Sequence, residues 1–398
     1  MEHKTTKIIY VSPRDVRKNR ADAVHIMLSC QSFANMGVDV ELITPSVERD
    51  EYVVEKEDVF SLYGIEHPNF VVKELPTNIS EIEGSQTSPR KIAVQKFVAF
   101  LIFCLNNRKE FSSNDVVIYS KCYISTLPFL LLKFLGLIKS KIIFETITPK
   151  NSLLHKIIYK KSDKIISHLS FVTEDILKYT NVSKAKIFEP AFFTQSKEVD
   201  AIKMNKAELR HELNLERNET YVLYAGKAGP KVKQVRYFIE AAARITSIKF
   251  LIVGANNLAI KEFEKIKSER SISNLQIFPF QPLVKYYKFV LASDILIGYY
   301  PPTYHNKYHL SPGKSGIYFA SKNPCVFSDL PSLRSLFPDG ITYYSEPDNV
   351  DSLVSTINEV CDNQDLARQT AEKAYEFAKK SSYDNFANGI IGFIGFEY

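Results

Sequence analysis

Residues 221–245 have the sequence YVLYAGKAGPKVKQVRYFIEAAARI, which combines three signals that occur together in one kind of fold. Tyr221–Gly226 is an apolar run with the length of a buried strand, and Arg236–Ile245 has apolar residues at helical spacing. Between them, Lys227–Lys233 forms a loop rich in glycine and lysine. A buried strand followed directly by a loop and a helix is the unit of parallel α/β sheets, so this stretch predicts a Rossmann-like domain.

The same alternation of strand and helix patterns continues on both sides of this stretch and predicts two α/β domains. The periodicity fades around residues 190–205, where we place the linker. We therefore expect domains at 1–195 and 205–380, followed by a tail at 381–398. In the first domain the predicted elements are the strands Lys7–Val11, Val38–Ile43, Val116–Tyr119, Lys141–Glu145, Lys164–Ile166 and His168–Val172 and the helix Ala23–Met36. In the second they are the helices Ala207–Leu213 and Val350–Cys361 and the strands Lys249–Val253, Leu275–Phe278, Asp294–Gly298 and Cys325–Phe327.

The positive charge of the chain is unevenly distributed. The formal net charge is +6, and eight lysines but only two acids, Glu145 and Asp163, lie between Lys133 and Lys164. Lysine stems beside apolar segments can bind the surface of an anionic membrane, although a solvated protein face is the plainer interpretation. No nucleic-acid-binding module accompanies the lysines, so a nucleic-acid partner is not expected.

The composition otherwise favours a cytoplasmic globular protein. The five cysteines are scattered along the sequence, and no two are spaced as a metal-binding or redox pair. We therefore expect them to be reduced thiols, as in a cytosolic protein. The sequence contains no recognisable signal peptide, and no apolar run reaches the roughly 20 residues of a membrane span. We therefore expect a cytoplasmic location, with peripheral contact at the inner face of the membrane as an open alternative.

A second motif, HLSPGKSGIYFA at His309–Ala320, has the features of an anion site at a helix start. Ser311 can cap the helix, and Pro312 suits its first position. Gly313 has no side chain to block the N–H groups at the helix start, and Lys314 adds a positive charge. A well-capped helix without a ligand is the alternative. Together with the lysines of Lys227–Lys233, the motif predicts a site for one diphosphate. No P-loop, dinucleotide fingerprint, HExxH, GxSxG or CxxC pattern is present, which disfavours nicotinamide, flavin, hydrolase and zinc chemistry.

These residues resemble the nucleotide-binding domain of retaining, family-4-like glycosyltransferases with the GT-B fold. The similar stretches are Tyr224–Lys227 with Lys233, Phe238–Ala242, Phe250–Gly254, Asp294–Ile297, Ser311–Pro324 with Ser328–Arg334, and Glu346–Asp348. In the first half, Ala23–Met27 and Gly37–Ile43 are similar to the family's opening helix and second strand. The resemblance implies two Rossmann-like domains facing a cleft, with the tail returning to the first domain.

The resemblance also implies roles for individual residues. It assigns Lys227 and Lys233 to catalysis through the donor diphosphate, which Ser311, Pro312, Gly313 and Lys314 also bind. The acceptor would lie in the first domain near Arg14, Arg17, Glu145 and Ile147. Three positions depart from the family pattern: His309 and Ile317 replace a pair of glutamates beside the ribose and the sugar, and Ile147 replaces a histidine.

The implied activity is transfer of a sugar from a nucleoside diphosphate sugar to a hydroxyl of a glycan or lipid-linked acceptor. Such transfer is retaining in the family and needs neither a metal nor a cofactor besides the donor. Because of these three departures, a second interpretation stays open: the protein is a homologue that binds nucleotide without catalysis and acts as a scaffold or regulator. A sugar-phosphate epimerase or phosphorylase of similar build is a third alternative.

Overall fold

The computed structural model describes residues 7–17, 21–47, 59–79, 88–190, 192–229 and 233–395. They divide into two compact units, one up to residue 191 together with residues from 383 onward, and the other at 192–382. None of the described helices is both long enough and apolar enough to cross a membrane.

The first unit is built on a parallel sheet of seven strands within the described residues. The strand order is β3-β2-β1-β4-β5-β6-β7, and helices follow most of the strands, as the alternation predicts. Its strands are β1 (Lys7–Val11), β2 (Asp39–Val47), β3 (Val71–Ile79), β4 (Val116–Ser120), β5 (Lys141–Thr146), β6 (Lys164–Ser167) and β7 (Ile187–Phe188). Its helices are α1 (Ala21–Asn35), α2 (Pro89–Asn106), α3 (Tyr123–Phe134), α4 (Leu153–Lys161) and α5 (Ser170–Thr180).

The second unit repeats this plan with a parallel sheet of six described strands in the order β10-β9-β8-β11-β12-β13. Its strands are β8 (Tyr221–Ala228), β9 (Lys249–Ala255), β10 (Leu275–Pro279), β11 (Ile295–Gly298), β12 (Cys325–Ser328) and β13 (Tyr343–Ser345). Its helices are α6 (Ser196–Asp200), α7 (Lys206–Glu212), α8 (Lys233–Arg244), α9 (Asn257–Glu269), α10 (Leu283–Ala292), α11 (Tyr304–His309), α12 (Gly313–Ala320), α13 (Pro331–Leu336), α14 (Val350–Asp362) and α15 (Gln364–Lys380).

The last helix, α16 (Tyr383–Ile394), packs against α1 in the first unit. It buries Phe386, Ile390 and Ile394, among other apolar side chains. Gly389 lies inside this helix because Phe188 approaches it so closely that a Cβ atom there would lie 3.1 Å from the ring. Gly389 thus allows close packing, whereas Gly392 has open space around its Cα.

One local prediction is wrong. The predicted strand at His168–Val172 instead leads into α5, which begins at Ser170, because Val172 and Ile176 are buried at helical spacing after β6 ends. The boundary between the two units falls within the predicted linker at 190–205, which also contains α6.

Candidate functional site

The first part of the candidate site is the end of β8, at the carboxyl edge of the second sheet. Gly226 has a φ of 132°, a conformation that L side chains rarely adopt, and Lys227 beside it is exposed. α8 begins at Lys233, as the strand-loop-helix pattern requires. The side chain of Lys233 and residues 230–232 lie outside the described residues, so the role assigned to Lys233 remains a prediction.

The second part is the start of α12. Pro312 is the residue before the helix rather than its first residue, and Ser311 makes no capping bond, so both placements were wrong. The Ser315 hydroxyl instead donates to the Pro312 carbonyl at 2.5 Å. Within the described part of the chain no side chain caps α12, and Gly313 is exposed, so N–H groups of its first turn can face an anion.

Two contacts fix α12 against the sheet of its own unit. The Tyr318 hydroxyl accepts a hydrogen bond from the Ala225 N–H at 3.1 Å and lies 3.3 Å from the Ala225 carbonyl oxygen. On the other side, a Cβ atom at Gly316 would lie 2.9 Å from the Phe193 carbonyl oxygen and from the Thr194 Cα. Glycine at this position therefore allows the helix to rest directly on the backbone of that segment.

Lys314 brings the two parts together. Its ammonium group would lie 3.1 Å from a Cβ atom at Gly226, and it sits 4.2 Å from the centre of the Tyr224 ring and 5.5 Å from that of Tyr300. Burial among these rings lowers the pKa of Lys314 to about 7, because desolvation disfavours the ammonium form. An anion bound at this point would favour the charged form again.

His309 and Ile317 flank this loop and are both buried. The His309 ring packs edge-on against Tyr304 and lies near His305. An isoleucine side chain can neither donate to nor accept from a ribose hydroxyl. Their predicted position beside the ribose and the sugar remains a prediction, and these side chains supply no carboxylate.

The first unit contains a cavity of about 720 Å³ whose lining includes three of the four residues predicted for the acceptor side: Arg14, Glu145 and Ile147. Arg17 is absent from this lining. Its guanidinium is buried against the Asp15 carboxylate at 2.5 Å and lies 3.7 Å from that of Glu74. These ion pairs hold the loop of Arg17 in place, and its contact with the acceptor remains a prediction.

Glu145 is fully buried at the inner wall of the cavity and receives hydrogen bonds from four side chains. Its Oε1 atom lies 2.8 Å from Lys121 Nζ, 2.9 Å from His25 Nε2 and 2.6 Å from His168 Nε2, and its Oε2 accepts from the Tyr119 hydroxyl at 2.8 Å. Burial alone would raise the pKa of Glu145, but Lys121 and the two histidines hold it well below its usual range.

The pKa of His25 is lowered to about 4, chiefly because burial and the nearby Lys121 ammonium disfavour its charged form. His25, Glu145 and His168 have ligand atoms close enough together to hold a metal ion. However, Lys121 already places a positive charge on the same carboxylate oxygen. We therefore interpret the group, here called the Glu145 network, as a buried hydrogen-bond network that supports the cavity.

The partners of Glu145 were not predicted from the sequence, although the positions of two of them could have indicated the contact. Lys121 directly follows β4 and His168 directly follows β6, the two neighbours of β5 in the sheet. Side chains just after adjacent parallel strands meet at one edge of the sheet, where Glu145 also lies. His25 comes from α1 and had no comparable signal.

The fold is similar to those of solved glycosyltransferase structures. The solved structures it resembles include sucrose-phosphate synthase from Thermosynechococcus elongatus (TM-score 0.74, 14% identity, 98% of both chains). They also include a glycosyltransferase from Rickettsia africae ESF-5 (TM-score 0.71, 13% identity, 98% of this chain and 97% of that one). HepE of Anabaena, solved with UDP and glucose, has a TM-score of 0.69 and 11% identity over 98% of this chain and 99% of that one. The chain has the GT-B fold.

One curated relative shares sequence with this GT-B chain. It is WcaI of Escherichia coli (strain K12), whose name assigns it to glycosyl transfer in colanic acid biosynthesis. The two are 29% identical over 201 residues, so the match spans about half of each (46% of this chain and 46% of the relative). No protein-family profile matches the chain.

Proposed function

We propose that this protein is a glycosyltransferase that moves a sugar from a nucleoside diphosphate sugar to a hydroxyl acceptor in polysaccharide or glycoconjugate biosynthesis. The observation that carries the proposal is the position of the Lys314 ammonium against Gly226, which joins both predicted phosphate-binding loops in one place. The WcaI relative and the UDP-containing structures of HepE are consistent with this substrate class.

In the proposed reaction, the bond between the anomeric carbon and the β-phosphate oxygen breaks while the acceptor oxygen bonds to that carbon. Negative charge grows on the departing diphosphate, and in this proposal Lys314, Lys227 and the start of α12 stabilise it. The leaving phosphate can take the proton of the acceptor hydroxyl, as expected for retention of configuration. Lysines supply the charge that a divalent metal supplies elsewhere, so we propose a metal-independent reaction.

We assign the acceptor, a glycan or a lipid-linked glycan, to the cavity of the first unit. Arg14, Lys96, Lys121 and Lys150 line it, whereas its acidic lining residues are Asp22 and Glu145. Both acids are already paired, Asp22 with Arg14 at 3.5 Å and Glu145 with Lys121. The four cations outnumber the two acids in the lining, and this net positive charge favours an acceptor that carries an anionic group. We further propose that the protein acts at the inner face of the membrane.

A donor panel tests the proposed activity. UDP-, GDP-, ADP- and dTDP-sugars are incubated with the protein and a membrane lipid extract, and release of the nucleoside diphosphate is measured with and without EDTA. We expect release from one class of donor, unchanged by EDTA. If UDP or GDP binds but no donor is turned over, the protein is a nucleotide-binding scaffold. Loss of turnover in EDTA would contradict the metal-independent mechanism.

A further inference from the structure

One helix of the first unit has an apolar stripe on its exposed side. Val94, Val98, Ile102 and Leu105 of α2 are all exposed, and their spacing of four, four and three residues places them along one line of the helix. A helix that covers a sheet normally turns polar residues to water and apolar residues to the core. α2 therefore departs from the usual pattern over nearly three turns.

The stripe has counterparts on the next two helices. α2 packs against α3, and α3 packs against α4, so the three helices form one layer. Phe134 near the end of α3 is 80% exposed, and Leu153 at the start of α4 is 75% exposed. We call the exposed side of this layer the α2–α4 face; its other exposed apolar residues are Leu131, Leu135, Leu137, Leu154 and Ile157. Exposed apolar side chains that recur along one helix layer commonly mark a site of interaction with a protein or a membrane.

The charges on this face are all of one sign. No aspartate or glutamate occurs in α2, in α3 or in α4, although acids make up about one residue in nine of the chain. Exposed cations border the apolar residues: Arg90 and Lys91 at the start of α2, Lys139 after α3, and Lys160 and Lys161 at the end of α4. An apolar surface bordered by these cations complements a layer of anionic headgroups over acyl chains.

Six of the eight lysines between Lys133 and Lys164 divide into two sets. Lys133 pairs with Asp163, Lys141 donates to the Ile394 carbonyl, and Lys164 lies over the Phe393 ring, so these three stabilise the unit itself. Lys139, Lys160 and Lys161, by contrast, are exposed at the α2–α4 face. The apolar stripe of α2, rather than the lysine count, is therefore the feature that distinguishes this surface from an ordinary solvated one.

We propose that the α2–α4 face binds the surface of an anionic phospholipid bilayer. The apolar side chains would enter the headgroup region while the cations contact lipid phosphates, with the helices lying parallel to the membrane. A second copy of the chain fits less well, because pairing two such faces would bring only positive charges together. The same helices reach the cavity, since Ile92 of α2 and Tyr123 of α3 line it. If the proposed transfer holds, its acceptor is thus an anionic amphiphile drawn from that bilayer.

Vesicle sedimentation of the full chain tests this surface. The probes are vesicles of phosphatidylglycerol with phosphatidylethanolamine, and vesicles of phosphatidylcholine alone. We expect the protein to pellet with the anionic vesicles only, and less so as ionic strength rises from about 0.1 M to about 1 M. The double variants Val98→Glu/Ile102→Glu and Lys160→Glu/Lys161→Glu should each lower vesicle affinity at least tenfold. The first places carboxylates on the apolar stripe, and the second replaces two cations with anions that the lipid phosphates repel.

A matched control is Leu258→Glu, which changes an exposed leucine of α9 in the second unit and should leave vesicle binding unchanged. UDP binding and melting temperature, measured on every variant, separate loss of this surface from loss of the fold or of the donor site. Failure of the wild type to bind anionic vesicles would overturn the proposal even if sugar transfer is found. So would a Val98→Glu/Ile102→Glu variant that turns a dimer into a monomer without changing vesicle binding.

Discussion

Replacing Lys314 with alanine is expected to weaken binding of the donor nucleotide roughly 30- to 150-fold. The ammonium group is held at the end of β8 by the Tyr224 ring and by the absence of a side chain at Gly226. A hydrogen bond to a charged group contributes about 1.5–3 kcal/mol, and the Lys314 bond to a diphosphate should fall in the upper part of this range. Isothermal titration with UDP and with UDP-glucose measures the loss.

The matched control for this variant is Lys322→Ala. Lys322 also lies over a tyrosine ring, that of Tyr375 at 4.1 Å, but at the other end of α12. Its replacement should leave nucleotide affinity within about twofold of the wild type, or about 0.5 kcal/mol of binding free energy, because Lys322 lies beyond the end of α12 opposite to Gly313. Equal effects of the two variants would indicate a general charge effect and would argue against a defined diphosphate site at Lys314.

The second large effect is expected from Glu145→Gln, which should lower the free energy of unfolding of the first unit by about 3 kcal/mol. Breaking a buried ion pair by removing one partner typically costs 3–5 kcal/mol, because the remaining charge stays buried without a counterion. Here the remaining charge is Lys121, and the two histidines face a neutral amide in place of the carboxylate that they share. Urea unfolding, followed by amide hydrogen exchange to separate the two units, provides the measurement.

The control for the Glu145 network is Glu174→Gln, an exposed position of α5 in the same unit, for which we expect a change within about 0.5 kcal/mol. The double variant Glu145→Gln/Lys121→Met should be more stable than Glu145→Gln alone, since it removes the unpaired charge. If Glu145→Gln leaves stability unchanged, the network does not support the fold, and a direct role of Glu145 at the acceptor would become the better interpretation.

Much of the fold could be predicted because both sheets are parallel and buried. Strands such as Lys7–Val11 and Tyr221–Gly226 are nearly continuous apolar runs, and the structure extends them by at most two residues. β3 was missed because it pairs only with β2 at the edge of the sheet and contains Pro76 and several polar residues. α2 was missed because its apolar residues cover the exposed side as well as the buried side, which hides the helical period.

The donor loops could be predicted from the sequence because their signals are local. Glycines, lysines and a helix start within a few residues of each other indicate an anion site without knowledge of the tertiary structure. The Glu145 network is different, since its members come from β4, β5, β6 and α1 and meet only after the sheet has formed. The capping role of Ser311 was predicted wrongly from its residue type. Serine is common at the residue that precedes a helix, but Pro312, with its extended backbone, takes that position before α12, and Ser311 lies one residue earlier.

The pH dependence of UDP-glucose affinity tests the central claim most directly, because it reports on the Lys314 ammonium itself. In the free protein the pKa of Lys314 is about 7, so the group loses its proton above that pH, whereas a bound diphosphate would keep it charged. We therefore predict constant affinity below about pH 7 and a fall of up to about tenfold per pH unit from about pH 7 to about pH 9. Arginine stays charged throughout this range, so Lys314→Arg should show a flat profile. Two results would contradict a diphosphate site at Lys314: the same pH dependence of affinity in the wild type and in Lys314→Arg, or no binding of any nucleoside diphosphate sugar.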